Sequence, residues 1–492
     1  MLPSHASLAR SAATDISPTP NHVPLCVDLD GTLIKTDLLI ESWLALLKCA
    51  PLQALAGGAS WLWRGKACLK TELAARVSIN AAQLPYHRAL LSYLKEQHNA
   101  GRRLVLATAS ATPYAKAIAE HLGIFSEVVA STPDKNLSGI EKCRALVDRF
   151  GVRGFDYIGN ESADLKIFAQ ARAALLVAPA RGVEREARRL ATVEAVFPAE
   201  ASGVRRYLRA IRVHQWLKNL LIFIPLFAAH AYADIQLIGA AVIAFIAFSV
   251  TASGVYLAND MLDLPADRAH PRKRTRAFAA GDISLQAGMA LMGLLFLAGF
   301  GLSLLLPSAF LPTLAGYLAV TFAYSFWLKG KVLADVFVLA GLYTMRLLAG
   351  SAAVGIAPSF WLLAFSMFLF LSLAMVKRYT ELAERRRAGS LMAAGRGYTV
   401  ADLSTVQSLG AAGGYISVLV LALYIYSTDV RVHYRHEQVL WFVCPLLLYW
   451  ISRMWQRAGR EEMHDDPLVY AMKDRVSLLV IALIALVILA AV

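Results

Sequence analysis

After about position 217 the chain becomes a succession of apolar stretches that must be buried in protein or immersed in lipid. Nine of them approach the ~20 residues that a helix needs to cross a bilayer. They run at roughly 217–233, 236–258, 286–306, 309–327, 332–354, 359–376, 407–427, 437–455 and 474–492, the first being the shortest. Hydrophobic residues make up 57% of the 492, and the mean hydropathy of +0.51 lies outside the range of soluble globular chains. In lipid, every backbone polar group has to be satisfied within its own segment, so the expectation is an all-α polytopic domain of about nine spans over 217–492.

Basic residues fall in alternate loops. Arg268, Arg272, Lys273, Arg274 and Arg276 follow the second stretch, and Lys329 and Lys331 the fourth. Lys377, Arg378, Arg385, Arg386, Arg387 and Arg396 follow the sixth, and Arg453, Arg457, Arg460, Lys473 and Arg475 the eighth. The intervening loops carry Arg431 and Arg435. The positive-inside rule then places the N-terminal region and every basic loop on the cytoplasmic side of an inner membrane. Much of the net charge of +14 would face anionic lipid or anionic substrate. Nothing in the chain calls for nucleic acid, and it leaves room for a homo-oligomer.

One of those loops carries acids as well. Asn259, Asp260, Asp263 and Asp267 form N-D-x-x-D-x-x-x-D directly after an apolar run. At helical spacing all four crowd towards one side, with Pro265 making Asp267 the least certain in position. Acids packed that closely repel unless a cation lies between them. Oxygen ligands that leave room for water suit Mg²⁺, which usually arrives with a phosphate or diphosphate. The arginines and lysine that follow supply counter-charge for such a group. Asp260 and Asp263 are therefore expected in the chemistry, with Asp267 as a further metal ligand and Asn259 as a substrate contact.

The first ~200 residues have a different texture. Residues 1–22 read as a disordered tail. Then V-P-L-C-V-D-L-D-G-T-L reads as a buried strand ending at Asp28 and Asp30, and R-L-V-L-A-T-A-S as a second ending near Thr108 and Ser110. A third segment carries Gly159, Asn160 and Asp164. Strands alternating with helices predict a doubly wound α/β sheet with functional groups at strand C-termini. Helical periodicity fills 37–100. Its apolar run is broken by Lys48, Pro51, Gly57 and Gly58, so it reads as the core of a helical cap rather than a span. The basic segment 181–216 reads as a linker helix. Five scattered cysteines, none in a C-x-x-C pair, fit a reducing compartment without disulfides.

The D-x-D-G-T run after a buried strand resembles the haloacid dehalogenase superfamily of phosphatases over about 23–180. That resemblance implies a nucleophile at Asp28, an acid–base at Asp30, phosphoryl contacts from Thr108 and Lys142, and Mg²⁺ held by Asp28, Asp30, Asn160 and Asp164. Asn160 stands where that family usually has Asp, which removes one ligand charge. Residues 205–492 resemble the UbiA superfamily, whose signature is the Asp-rich run. The sequence K-R-Y-T-E-L-A-E-R-R-R after the sixth stretch lacks the second Asp-rich run of most members. Together with V-H-Q-W-L-K-N, G-R-G-Y-T and D-D-P-L-V-Y-A-M-K-D-R, this resembles the decaprenyl-phosphate phosphoribosyltransferase branch. That likeness implies transfer of 5-phosphoribose from phosphoribosyl diphosphate (PRPP) to a polyprenyl phosphate, followed by dephosphorylation of the product. Lys218, Lys329, Lys377 and Arg378 would be phosphate contacts. Arg346, an arginine inside an apolar stretch, is either functional or a partner for Asp335. Isoprenoid transfer from a diphosphate to an aromatic or other acceptor is the alternative.

Overall fold

The computed structural model describes residues 23–199, 203–387, 389, 397–431, 434–463 and 466–492. The expected tail at 1–22, together with Arg396, lies outside the described residues. The chain divides into two compact units. One comprises the N-terminal region to Ala210 together with Ala258–Met289. The other comprises Ile211–Leu257 and Ala290–Val492.

In the first unit six parallel strands form one sheet in the order β3-β2-β1-β4-β5-β6. They are β1 (Leu25–Val27), β2 (Leu104–Ala111), β3 (Glu127–Ser131), β4 (Asp156–Gly159), β5 (Ala173–Val177) and β6 (Thr192–Phe197). The order reverses direction between β1 and β4, whose C-terminal ends lie side by side. Such a switch point is where open α/β sheets build their sites. Four helices separate β1 from β2: α1 (Leu38–Cys49), α2 (Pro51–Trp63), α3 (Lys66–Arg76) and α4 (Arg88–Asn99). The first three, joined by Leu46, Ala54, Trp61 and Leu73, make a small core of their own. This is the cap that the broken apolar run implied. α4 presents Leu90, Tyr93 and Leu94 to the core beneath the sheet.

The other crossings are α5 (Thr112–Leu122), α6 (Ile140–Phe150), the single turn α7 (Leu165–Phe168) and α8 (Val183–Leu190). A buried carboxylate, Asp156, fastens the N-terminal ends of the strands by pairing with Arg102 and Arg172.

The α/β domain extends further than expected. Residues 181–197 are not a linker helix but α8 and the edge strand β6. The arginines that made the segment look like a basic linker, Arg188 and Arg189, are paired along α8 with Glu184 and Glu186. The alternation in T-V-E-A-V-F belongs to a strand registered on β5. Among the described residues of that segment, the short helix Val204–Ala210 follows β6 before the apolar helix Val213–Ala228 begins.

Among the described residues, six helices are long and apolar enough to cross a membrane. They are Ile235–Leu262, Leu285–Ser303, Phe310–Leu328, Ala334–Val354, Phe360–Arg387 and Val400–Tyr426. Two shorter apolar helices, Val213–Ala228 and Arg475–Ala491, match the first and last expected spans. The helix Val443–Gly459 occupies most of the eighth. The arrangement is compatible with nine spans. The chain is an integral membrane protein.

Candidate functional site

In the soluble domain, β1 delivers Asp28 and Asp30 into a turn that glycine alone can make. Gly31 has a φ of +72°, and a Cβ there would stand 2.6 Å from the Asn160 side chain. Lys142, buried on α6, donates to Asp28 at 2.7 Å and lies 3.5 Å from Asp164. Thr32 donates to the Asn160 carbonyl oxygen at 3.1 Å and lies 3.5 Å from Asp28. Asp30 accepts from the Ser110 hydroxyl at 2.5 Å and from the Leu38 amide at 2.9 Å. Asp37 caps the next two amides of α1, at 2.9 and 3.1 Å. Asp30 therefore belongs to the turn and to the first helix of the cap at once.

Burial pushes the Asp28 carboxyl up to about 6, with Lys142 opposing and Asp164 reinforcing the rise. Burial, with the Asp37 charge adding to it, pushes Asp30 up to about 7 against its two hydrogen bonds. A carboxyl that holds a proton near neutral pH is what acid–base work requires. Burial works to lower Lys142, but its two carboxylates outweigh it and push it up.

Asp28, Asp30, Lys142, Asn160 and Asp164 are thus brought together as expected. Asp164 differs in role. It accepts from the Asn160 and Glu161 amides at 3.0 and 3.1 Å, from the Tyr157 hydroxyl at 2.9 Å, and faces Lys142. Those donors occupy its lone pairs, so it shapes the loop rather than offering an oxygen to a metal. Thr108 is wholly buried and accepts from the Ser110 amide at 3.0 Å. Ser110, which the spacing did not single out, reaches Asp30 instead.

The Asp-rich run also folds as a cluster. The membrane helix ends at Leu262, and Asp263 precedes a short helix, Leu264–Ala269, with Pro265 in its first turn, where proline costs nothing. Proline therefore restarts the helix rather than displacing Asp267. Arg276 bridges Asp260 at 3.1 Å and Asp267 at 2.7 Å. Asp263 pairs with Lys48 of α1, and Arg268 makes a two-point bond to buried Glu41 at 2.6 and 3.0 Å. Asn259 accepts the Asp263 amide through its backbone carbonyl at 2.9 Å. His270 accepts from loop amides, as a loop residue would.

The second unit holds a buried polar cluster in otherwise apolar surroundings. Lys218 and Lys377 lie 2.8 and 3.2 Å from Asp466, which also accepts from the Tyr343 hydroxyl at 3.0 Å. Arg346 donates to Asn219 at 2.9 Å and stacks over the Tyr343 ring. Two lysines thus share one carboxylate, and Arg346 stacks on the Tyr343 ring whose hydroxyl donates to that carboxylate. Burial alone would raise Asp466, but Lys218 and Lys377 outweigh it and hold the carboxyl well below the usual range. Lys218, Arg346 and Lys377 meet as a set. Asp466 and Tyr343 were not among the expected site residues.

Arg346 is not the partner of Asp335. That place belongs to Arg378, which is fully buried and paired with Asp335 and Glu381. The expected phosphate contact at Arg378 therefore has no open surface here. Lys329 closes a π-helical turn, Tyr324–Leu328, and is half-buried.

Among the described residues, no three His, Cys, Asp or Glu side chains form a ready metal cage. The donor chemistry nevertheless fits a hard cation in both acidic clusters. Asp28 and the Asn160 carbonyl flank Thr32. At the Asp-rich run, Arg276 and Lys48 supply the positive charge that the carboxylates demand.

Residues 220–490 match the model of the UbiA prenyltransferase family. The chain belongs to the UbiA prenyltransferase family. Residues 25–169 of this UbiA-family enzyme match the haloacid dehalogenase-like hydrolases. Uncharacterized protein y4nM of Sinorhizobium fredii is 36% identical over 94% of this chain and 90% of its own length. Nodulation protein NoeC of Azorhizobium caulinodans is 36% identical over 57% of this chain and 91% of its own length. Decaprenyl-phosphate phosphoribosyltransferase of Mycolicibacterium smegmatis is 31% identical over 55% of this chain and 86% of its own.

Proposed function

We propose that this UbiA-family enzyme transfers 5-phosphoribose from PRPP to a polyprenyl phosphate, and that its hydrolase domain removes the 5-phosphate from the product. The observation that carries the reading is the polar cluster in which Lys218 and Lys377 pair with Asp466 while buried Arg346 stacks on the adjoining Tyr343 ring. PRPP differs from an isoprenoid diphosphate in bearing a separate phosphate, and the acceptor adds another. Buried cations, not a second acidic run, suit those lone phosphates. The likeness to a phosphoribosyltransferase supports the same choice.

Asp260, Asp263 and Asp267 would hold Mg²⁺, which supplies charge neutralisation for a departing diphosphate. At the anomeric carbon the bond to diphosphate breaks, and a bond to the lipid phosphate oxygen forms. That oxygen is already anionic, so no strong base is needed. In the hydrolase domain Asp28 would attack the 5-phosphate while Asp30 gives its proton to the leaving ribose oxygen, and water then frees the phosphate from Asp28. Lys142 lowers the repulsion between carboxylate and phosphate. Both sites would face the cytoplasm, where PRPP is made.

Mass spectrometry of lipids after incubating purified protein with PRPP and polyprenyl phosphate tests this. A lipid carrying pentose is expected, and with Asp28→Asn a lipid carrying pentose phosphate. Geranyl diphosphate with 4-hydroxybenzoate should give no product. The reverse pattern would make prenyl transfer the activity.

A further inference from the structure

Helix α2 is apolar on its outer side as well as its inner one. Ala54 and Trp61 face the cap core. Outwards it carries Leu52, Leu55, Leu62 and Trp63, which are 82, 60, 54 and 95% exposed. Ala56 and Ala59 complete that face, and only Gln53 and Ser60 interrupt it. A groove of about 430 Å³ continues the stripe towards Leu39 and Ile40 in the first turn of α1. An apolar face of this kind on a soluble domain marks a contact with something apolar.

Three observations identify the occupant. The ends of the helix are basic: Lys48 precedes it, Arg64 and Lys66 follow, and no Asp or Glu occurs between Glu41 and Glu72. Such a surface repels its own copy and attracts anionic lipid. Lys48, just before α2, is paired with Asp263, which directly follows the membrane-crossing helix Ile235–Leu262. The start of α2 is therefore held where that helix leaves the bilayer. The most exposed side chain is a tryptophan, the type that settles at the membrane–water boundary.

We propose that α2 is an interfacial anchor. It lies in the plane of the bilayer surface, with Leu52, Leu55, Leu62 and Trp63 at the headgroup–acyl boundary and Arg64 and Lys66 among anionic headgroups. The groove beside it then opens towards lipid next to the first turn of α1, whose Leu38 amide binds Asp30, so a lipid-borne phosphate would approach the hydrolase cluster from the membrane surface. This delivery route rests on the phosphatase reading. The anchor rests only on the membrane location of the chain.

The test uses the full chain in nanodiscs of phosphatidylcholine and phosphatidylglycerol, with Cys49, Cys68 and Cys143 replaced by serine. A bimane label is placed at Leu55→Cys or Trp63→Cys, and at Lys116→Cys on α5 as an aqueous control. Doxyl-labelled lipid should quench the α2 labels several-fold more than the control, and iodide should show the opposite order. Labels on α2 that iodide quenches freely, or that neither agent reaches, overturn the anchor; the second pattern would place protein there.

A Leu55→Glu, Trp63→Glu double variant tests the delivery route. Hydrolysis of the lipid-borne phosphate should fall several-fold while hydrolysis of p-nitrophenyl phosphate is unchanged. Equal effects on the two esters overturn the route. Absence of either hydrolysis in the parent protein overturns the phosphatase reading and leaves the quenching to decide the anchor.

Discussion

The two acidic clusters of the first unit meet the same electrostatic demand by different means. Around Asp28 and Asp164 the counter-charge is a single buried lysine, Lys142, whose side chain is 6% exposed. Around Asp260, Asp263 and Asp267 it is Arg276 and Lys48, on long side chains 30 and 35% exposed. A buried lysine is part of the fold, because removing it strands charge in a low dielectric. A half-exposed arginine can rotate into water at little cost. The hydrolase cluster is thus built round its cation, whereas the Asp-rich cluster holds cations that a metal ion can displace.

The largest effect should come from the chemistry itself. Asp28→Asn should lower phosphate release by on the order of a thousandfold or more, as loss of a nucleophile does. Transfer of label from PRPP to lipid should stay intact, since Asp28 and the transferase residues serve different reactions. Loss of both activities in this variant would mean that the two clusters do not work separately.

Next comes stability. Lys142→Ala should destabilise the sheet by ~3–5 kcal/mol, the cost of breaking a buried pair. Arg276→Ala should cost only about 0.2–1 kcal/mol, as for exposed pairs. Hydrogen exchange of the β1 and β4 amides in the full chain measures the first, and exchange in Leu264–Ala269 the second. Equal losses would erase the distinction between fixed and displaceable counter-charge.

Metal demand separates the clusters more finely. Asn160→Asp should restore a ligand charge and lower the Mg²⁺ concentration for half-maximal phosphate release several-fold. A magnesium titration of phosphate release checks this, and an unchanged midpoint would remove Asn160 from the metal site. The smallest effect is expected from Lys48→Ala. By removing a competing cation from Asp263 it should tighten metal binding at the Asp-rich run about twofold to fivefold, the equivalent of ~0.4–1 kcal/mol. Mn²⁺ binding followed by electron paramagnetic resonance would show it, and weaker binding would mean that Lys48 supports the site instead.

What the sequence revealed follows the range of the interactions. Asp28, Asp30 and the Asp-rich run declare themselves because the acids stand a few residues from one another on a turn or a helix, although Lys142 and Lys48, which neutralise Asp28 and Asp263, lie 114 and 215 residues away. Asp466 did not, although the run containing it stood out. Its contacts with Lys377 and Tyr343 span 89 and 123 residues. No local spacing encodes such pairs. The same holds for Lys48, which read as an interruption of an apolar run until Asp263 came to face it. Arg378 misled for the complementary reason. Its position after an apolar stretch suggested an open loop, but the helix Phe360–Arg387 carries it inward to Asp335. The strand β6 was hidden by composition, since arginines that pair along one helix look like a basic tether when only counted.

The bond from the Leu38 amide to Asp30 has a further consequence. The cap cannot swing away from the sheet without withdrawing one of the two donors that steady this carboxylate. On the proposed phosphatase reading, the position of the cap and the readiness of Asp30 to hold a proton are therefore linked through one amide.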